Sequence, residues 1–133
     1  MGDYTAIFIA AELRHDAPPV VRGILNCMMG LSEEIPCPLP DHPLFKSERW
    51  RYLLRCDAAY LPGAVLRAWG HARDGRDFTV YSKIKNYDEE IEKFFDWISP
   101  YVENDAIAFH KYEYADKATI VSFLKEETSD EPV

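Results

Sequence analysis

The spacing of apolar and polar positions changes several times along the chain, and each spacing names an element. From Tyr4 to Leu13 the run YTAIFIAAEL is β-favouring and unbroken by Gly or Pro, which predicts a first, central strand. Asp16 then reads as a helix cap with Pro18 and Pro19 in the first turn. Val20, Val21, Ile24, Leu25, Met28 and Met29 follow at helical spacing, and Gly30 supplies the stop. LSEEIPCPLPDHPLF holds four prolines and reads as a rigid crossover, of a length that is uncommon and often functional.

Alternation in RWRYLLRCD predicts a second strand, Trp50 to Asp57. Leu61, Pro62 and Gly63 turn the chain into a third, Ala64 to Ala72. The Asp74-Gly75 pair is a hairpin signal leading to a fourth, Asp77 to Lys85. In NYDEEIEKFFDWISPYV, Ile91, Phe94, Phe95 and Ile98 fall at i, i+3, i+4 and i+7. Asp88, Glu89 and Glu90 suit the N-terminus of that helix and Pro100 its end. Strands at Ala106 to Tyr114 and Thr119 to Leu124 complete the series.

The order β-α-β-β-β-α-β-β predicts an α+β domain over residues 1–124. The economical arrangement is a ferredoxin-like antiparallel sheet of five to six strands with both helices on one face. Residues 125–133 are acidic and poor in apolar side chains, so a disordered tail is expected there. Strand parity then assigns the open face. With Trp50, Tyr52, Leu54 and Cys56 turned to the helices, Arg49, Arg51, Arg55 and Asp57 face out. The fourth strand adds Thr79, Tyr81, Lys83 and Lys85. The third is the ambiguous one: placing Leu66 and Ala68 inward leaves Arg67, Trp69 and His71 outward. In the fifth strand Ile107 and Phe109 pack inward, and His110, Tyr112 and Tyr114 face out.

Charge sharpens that face. The chain of 133 residues has a formal net charge of -8, yet from Lys46 to Lys85 nine Lys or Arg meet four acids. Guanidinium forks suit phosphate or carboxylate, and aromatic rings can hold a base by stacking, so a nucleotide or single-stranded nucleic acid is one expectation. Tyr, Trp and Arg also anchor protein interfaces, self-association included. The plainest alternative is a solvated sheet face of cross-strand pairs without a ligand. On the second helix, Glu89, Glu92 and Asp96 form an acidic outer face. It is either ordinary amphipathic surface or a docking field for a basic partner, as in an immunity protein or DNA mimic.

A pI near 4.9 argues against general binding to duplex nucleic acid. No apolar run approaches bilayer length and no basic leader precedes the first strand, so a cytoplasmic protein without membrane contact is expected. Cys27, Cys37 and Cys56 are expected as reduced thiols; Cys37 and His42 alone are too few for the usual zinc site, and no cofactor is implied. No phosphate-cradling glycine loop, nucleophile elbow, HExxH or CxxC is present. His15-Asp16 and a cross-strand Asp57–His110 pair are the nearest approaches to acid-base chemistry, and a non-enzymatic binding protein is the expectation.

HPLFKSERWRYLLRCD and KNYDEEIEKFFDWISPY together resemble segments of small proteins of bacterial genomes, prophages and phages that have no assigned activity. The resemblance covers Asp41 to Val102. It implies a bacterial or phage-infected host cytoplasm and a counter-defence or immunity protein that acts by binding, and it gives no residue a role.

Overall fold

The computed structural model describes residues 4–47, 49–71, 75–86 and 89–123. Five strands, β1 (Tyr4–Glu12), β2 (Leu66–Trp69), β3 (Asp77–Lys85), β4 (Ile107–Tyr112) and β5 (Thr119–Val121), form one antiparallel sheet in the order β2-β3-β1-β4-β5. Two helices, α1 (Pro19–Met29) and α2 (Glu90–Ile98), cover one face, so the class is α+β. The expected central position of β1 holds. Its Ile7 and Ile9 are fully buried, flanked by Val80 of β3 and Ala108 of β4.

α1 starts at Pro18 without a side-chain cap and ends at Gly30, whose φ of 77° is the left-handed stop that glycine adopts without strain. Asp16 does not cap it; that carboxylate pairs with Arg14 Nε at 3.3 Å. α2 also lacks the expected acidic cap. Asn86 Oδ1 accepts the Ile91 N–H at 3.0 Å, and Glu90 turns inward at 2% exposure. Asp88 lies outside the described residues, as do Ala72, Leu124 and the tail.

The predicted strand at Trp50 to Asp57 does not form. Trp50–Tyr52 is a 3-10 turn, preceded by another at Pro43–Lys46. Trp50, Leu53 and Leu54 are buried together, which is i, i+3, i+4 spacing rather than alternation, and Tyr52 points outward. Phe45 sets its ring edgewise against Trp50 and Trp97, at 5.1 and 5.3 Å between centroids, fastening this segment to α2. Each such aliphatic or aromatic burial is worth about 2 kcal/mol, more than one short edge strand could recover.

Beyond Leu54 the chain leaves the helix side. Cys56 accepts the Lys83 N–H at 2.9 Å along the free part of β3's edge, and residues 57–65 then fold over the opposite face of the sheet. There Tyr60 stacks on Tyr4 at 5.6 Å, and Tyr81 Oη donates to the Pro62 carbonyl at 2.7 Å. This flap half-covers a face that parity alone leaves open.

Candidate functional site

The three arginines of the RWRYLLRC stretch lie on the helix side and edge of the fold, each with a different environment. Arg49 reaches Glu90 Oε1 at 2.6 Å and also donates to the Lys85 carbonyl; Ser47 Oγ donates to the other Glu90 oxygen. Arg51 donates to Tyr52 Oη at 3.0 Å. The Arg55 guanidinium lies 4.7 Å from the centre of the Tyr52 ring and donates no hydrogen bond to any described residue. Arg49, Arg51 and Arg55 are therefore not on the open sheet face, because the segment that carries them is not a strand.

Parity in β2 is the reverse of that expected. Arg67 pairs with Val80 and Trp69 with Phe78, both core residues, so Arg67 and Trp69 turn toward α1. Arg67 Nη1 donates to the Met29 carbonyl at 2.9 Å and Trp69 Nε1 to Asn26 Oδ1 at 2.7 Å, while Arg22 stacks over the indole at 3.8 Å. His71 is exposed just past the strand. Leu66 and Ala68 take the outer face instead.

β4 is reversed as well. His110 pairs with Ile7 and Tyr112 with Thr5, so both lie on the helix side; His110 meets the Phe95 ring of α2 at 6.2 Å. Tyr114, beyond the strand, is exposed and sits edgewise to Tyr112 at 5.4 Å. His110 and Tyr112 instead line a cleft of about 380 Å³ with Glu92, Asn86 and Lys117. Asp57 belongs to the flap on the other face, so the Asp57–His110 pair does not meet. His15 faces Arg76 Nη2 at 3.1 Å rather than Asp16.

In β3 the expected outward residues are on the outer face, since Tyr81 and Lys85 pair with Phe8 and Tyr4 of β1. Lys83 shares that face but is only 3% exposed. Its ammonium donates to the carbonyls of Leu61, at 3.1 Å, and Gly63, and pairs with Asp57 Oδ1 at 3.1 Å. It is the pin that holds the flap. The Asp57 carboxyl is lowered from its ordinary value of 3.8 by the Lys83 hydrogen bond first and the Ala58 N–H second. Lys85 lies over the Tyr4 ring at 5.4 Å.

The acidic helix face is present as exposed side chains. Glu89 stands at the helix start in a left-handed conformation, Glu92 accepts from Asn86 Nδ2 at 3.0 Å, and Asp96 pairs with His42 Nε2 at 2.8 Å. His42 Nδ1 also accepts the Leu44 N–H, so both ring nitrogens have protein partners; Cys37 is exposed. Among the described residues no group of three or more His, Cys, Asp or Glu is placed to hold a metal. No helix among them is long and apolar enough to cross a membrane.

Apart from Tyr81, which the flap contacts at Pro62 and Gly63, the outer face beyond the flap is mostly apolar. Leu66, Tyr81, Phe8, Phe109 and Ile120 stand in register across all five strands, with Phe8 and Phe109 stacked at 5.1 Å. Beside this row runs a second, Ala68, Thr79, Ala10 and Ile107. Leu66 is 44% exposed, Ile107 63% and Ile120 74%. Sequence reasoning missed these rows because it turned Ile107 and Phe109 inward. The signal available was Ala108, whose small side chain between two large apolar ones marks the side on which a helix packs closely.

Along the strands the rows are bounded by unlike charge. Past Ala10 come Glu12, Asp77 and Asp105, with Arg76 pairing Glu12 at 3.0 Å; past Phe8 come Lys83, Lys111 and Lys85. The site is thus an α+β sheet face with an apolar centre, an acidic end and a basic, flap-covered end. Compared with protein-family models, with curated proteins and with solved structures, the chain matches none.

Proposed function

We propose that this is a non-enzymatic binding protein whose working surface is the outer face of the sheet, and that its occupant is a second copy of the chain. The observation that carries the reading is the apolar row from Leu66 to Ile120, which crosses the sheet without a charged side chain. The β-α-β-β-α-β portion is read as a ferredoxin-like arrangement extended by β5, an architecture that leaves one sheet face without helices.

The neutral, apolar character of the rows favours a copy over a charged partner, against the repulsion of two chains of net charge -8. Residues 125–131, KEETSDE, contain no apolar side chain that could cover the rows. A partner attracted to a chain of net charge -8 would be basic, whereas the rows are neutral. Two faces related by a two-fold axis lying between the sheets and perpendicular to the strands run antiparallel. The acidic end of each then faces the flap-covered end of the other, and each flap occupies the step left beyond its partner's flap. Five strands span about 19 Å between outer axes, and with side chains the two faces would bury on the order of 1,000 Å² in total. That is the lower limit for a specific interface, so dissociation in the micromolar range is expected.

Sedimentation equilibrium over a range of concentrations tests this. The parent chain should show a monomer–dimer equilibrium that Ile120→Glu abolishes; Ile120 is so exposed that the substitution leaves the monomer folded. A parent that stays monomeric throughout, or a dimer indifferent to Ile120→Glu, would overturn it. The acidic face of α2 is a weaker candidate, since Glu92 and Asp96 already have partners within the chain. The counter-defence role rests on the sequence resemblance alone and assigns no residue.

A further inference from the structure

Near the C-terminus of α1 lie three guanidiniums that no described carboxylate contacts, with Glu33 the acid that acts on Cys27 beside Arg51 and Arg55. Among the described residues Arg51, Arg55 and Arg67 form no ion pair, in a chain with 23 acids against 15 Lys and Arg. Gly30 is what lets Arg55 and Arg67 converge. A Cβ built there would lie 2.9 Å from Arg55 Nη1 and 2.9 Å from Arg67 Nη1, so the two nitrogens are less than about 6 Å apart. Arg51 and Arg55 approach the same Tyr52 ring, at 5.3 and 4.7 Å.

Their existing contacts do not use their capacity. Arg67 spends one donor on the Met29 carbonyl and Arg51 one on Tyr52 Oη. Arg55 spends none, although it is half-buried and its Nε is fully shielded without an acceptor. An unsatisfied buried donor is costly, and more so on a charged group. The partial negative charge of the helix C-terminus, about half a unit, offsets only a fraction of three positive charges.

We infer that Arg51, Arg55 and Arg67 form a binding site for a phosphoryl group of a small molecule. A tetrahedral dianion can bridge guanidiniums at this separation, accepting from the Nη groups of Arg55 and Arg67 on different oxygens. Tyr52, 42% exposed, is the flat surface beside it. The site lies on the helix side of the sheet, apart from the apolar rows, and stands whether or not the chain dimerises.

The test is calorimetric titration with pyrophosphate at ionic strength held constant with sodium chloride. Saturable binding is expected, weakened at least about tenfold in Arg55→Gln, which breaks no protein hydrogen bond and so keeps the fold. Gly30→Ala is the second variant. It retains all three charges but pushes the guanidiniums apart, and it should weaken binding comparably while circular dichroism stays native. Absence of saturable binding by the parent chain, or equal binding by Arg55→Gln, would overturn the assignment. Equal heats from sulfate in the parent and both variants would do the same, since that is screening and not a site.

Discussion

Lys83 offers the sharpest test of how the flap is held. Replacing it with Met keeps most of the apolar stem and removes an ammonium that donates to the carbonyls of Leu61 and Gly63, more weakly to that of Ala58 at 3.5 Å, and pairs with Asp57. Hydrogen bonds to a charged group contribute about 1.5–3 kcal/mol each, and the lysine's own desolvation, several kcal/mol, is recovered on substitution. The carbonyls of Leu61 and Gly63, covered in the parent, are left to find water. The net loss expected is about 3 kcal/mol, a large part of the stability of a domain this size. It should lower the melting temperature by about 10 °C and the urea midpoint at unchanged slope. Chymotrypsin should then cut faster at Tyr60, whose ring stacks on Tyr4 in the parent. A loss below about 1 kcal/mol with cleavage at Tyr60 no faster would refute the pin, because the flap would then be held by Leu61 and the tyrosines alone.

Two further outcomes follow from titratable groups. Folding lowers the Asp57 carboxyl below 3.8, so its contribution is complete above that pH and is lost as pH falls through the depressed folded value; Asp57→Asn should lose less stability on acidification than the parent, measured by urea unfolding across that range. Burial first raises the thiols of Cys27 and Cys56, against the opposing charge of nearby arginines, so native protein at neutral pH should react with a thiol reagent fast at exposed Cys37 and slowly at the other two. Fast reaction of Cys27 would show that α1 opens readily.

What the sequence made legible was whatever had a single dominant period. α2 and β3 were readable because Ile91, Phe94, Phe95 and Ile98, and Phe78, Val80 and Ile84, carry one period without competition. RWRYLLRC was not, because it satisfies two: Trp50, Tyr52, Leu54 and Cys56 alternate, while Trp50, Leu53 and Leu54 fit a turn of helix. Burial of Leu53 decides between them, and that depends on α1 and α2 being close enough to receive it. The parity of β2 and β4 failed for a related reason. Both strands carry large apolar side chains on the two faces, since one face meets helices and the other bears the exposed rows, so hydrophobicity alone does not distinguish inside from outside. The candidate cations were placed together on one sheet face because of the strand error, and the structure instead distributes them among the α1 terminus, Glu90 and the flap.

The two surfaces left after this sorting are separated by the thickness of the sheet. The apolar rows lie on its outer face, and the three arginines lie with α1 on the inner side. In a face-to-face dimer the outer faces are consumed and both arginine clusters point away from the interface, giving two independent phosphoryl sites on opposite sides of the particle. The variants should therefore separate cleanly: Ile120→Glu yields a monomer that binds pyrophosphate with the parent's affinity, and Arg55→Gln yields a dimer that does not. Sedimentation and calorimetry on both variants check this crossing. Loss of pyrophosphate binding in the Ile120→Glu monomer would mean that the arginines are positioned by the partner copy, which the antiparallel arrangement of the two sheets does not allow.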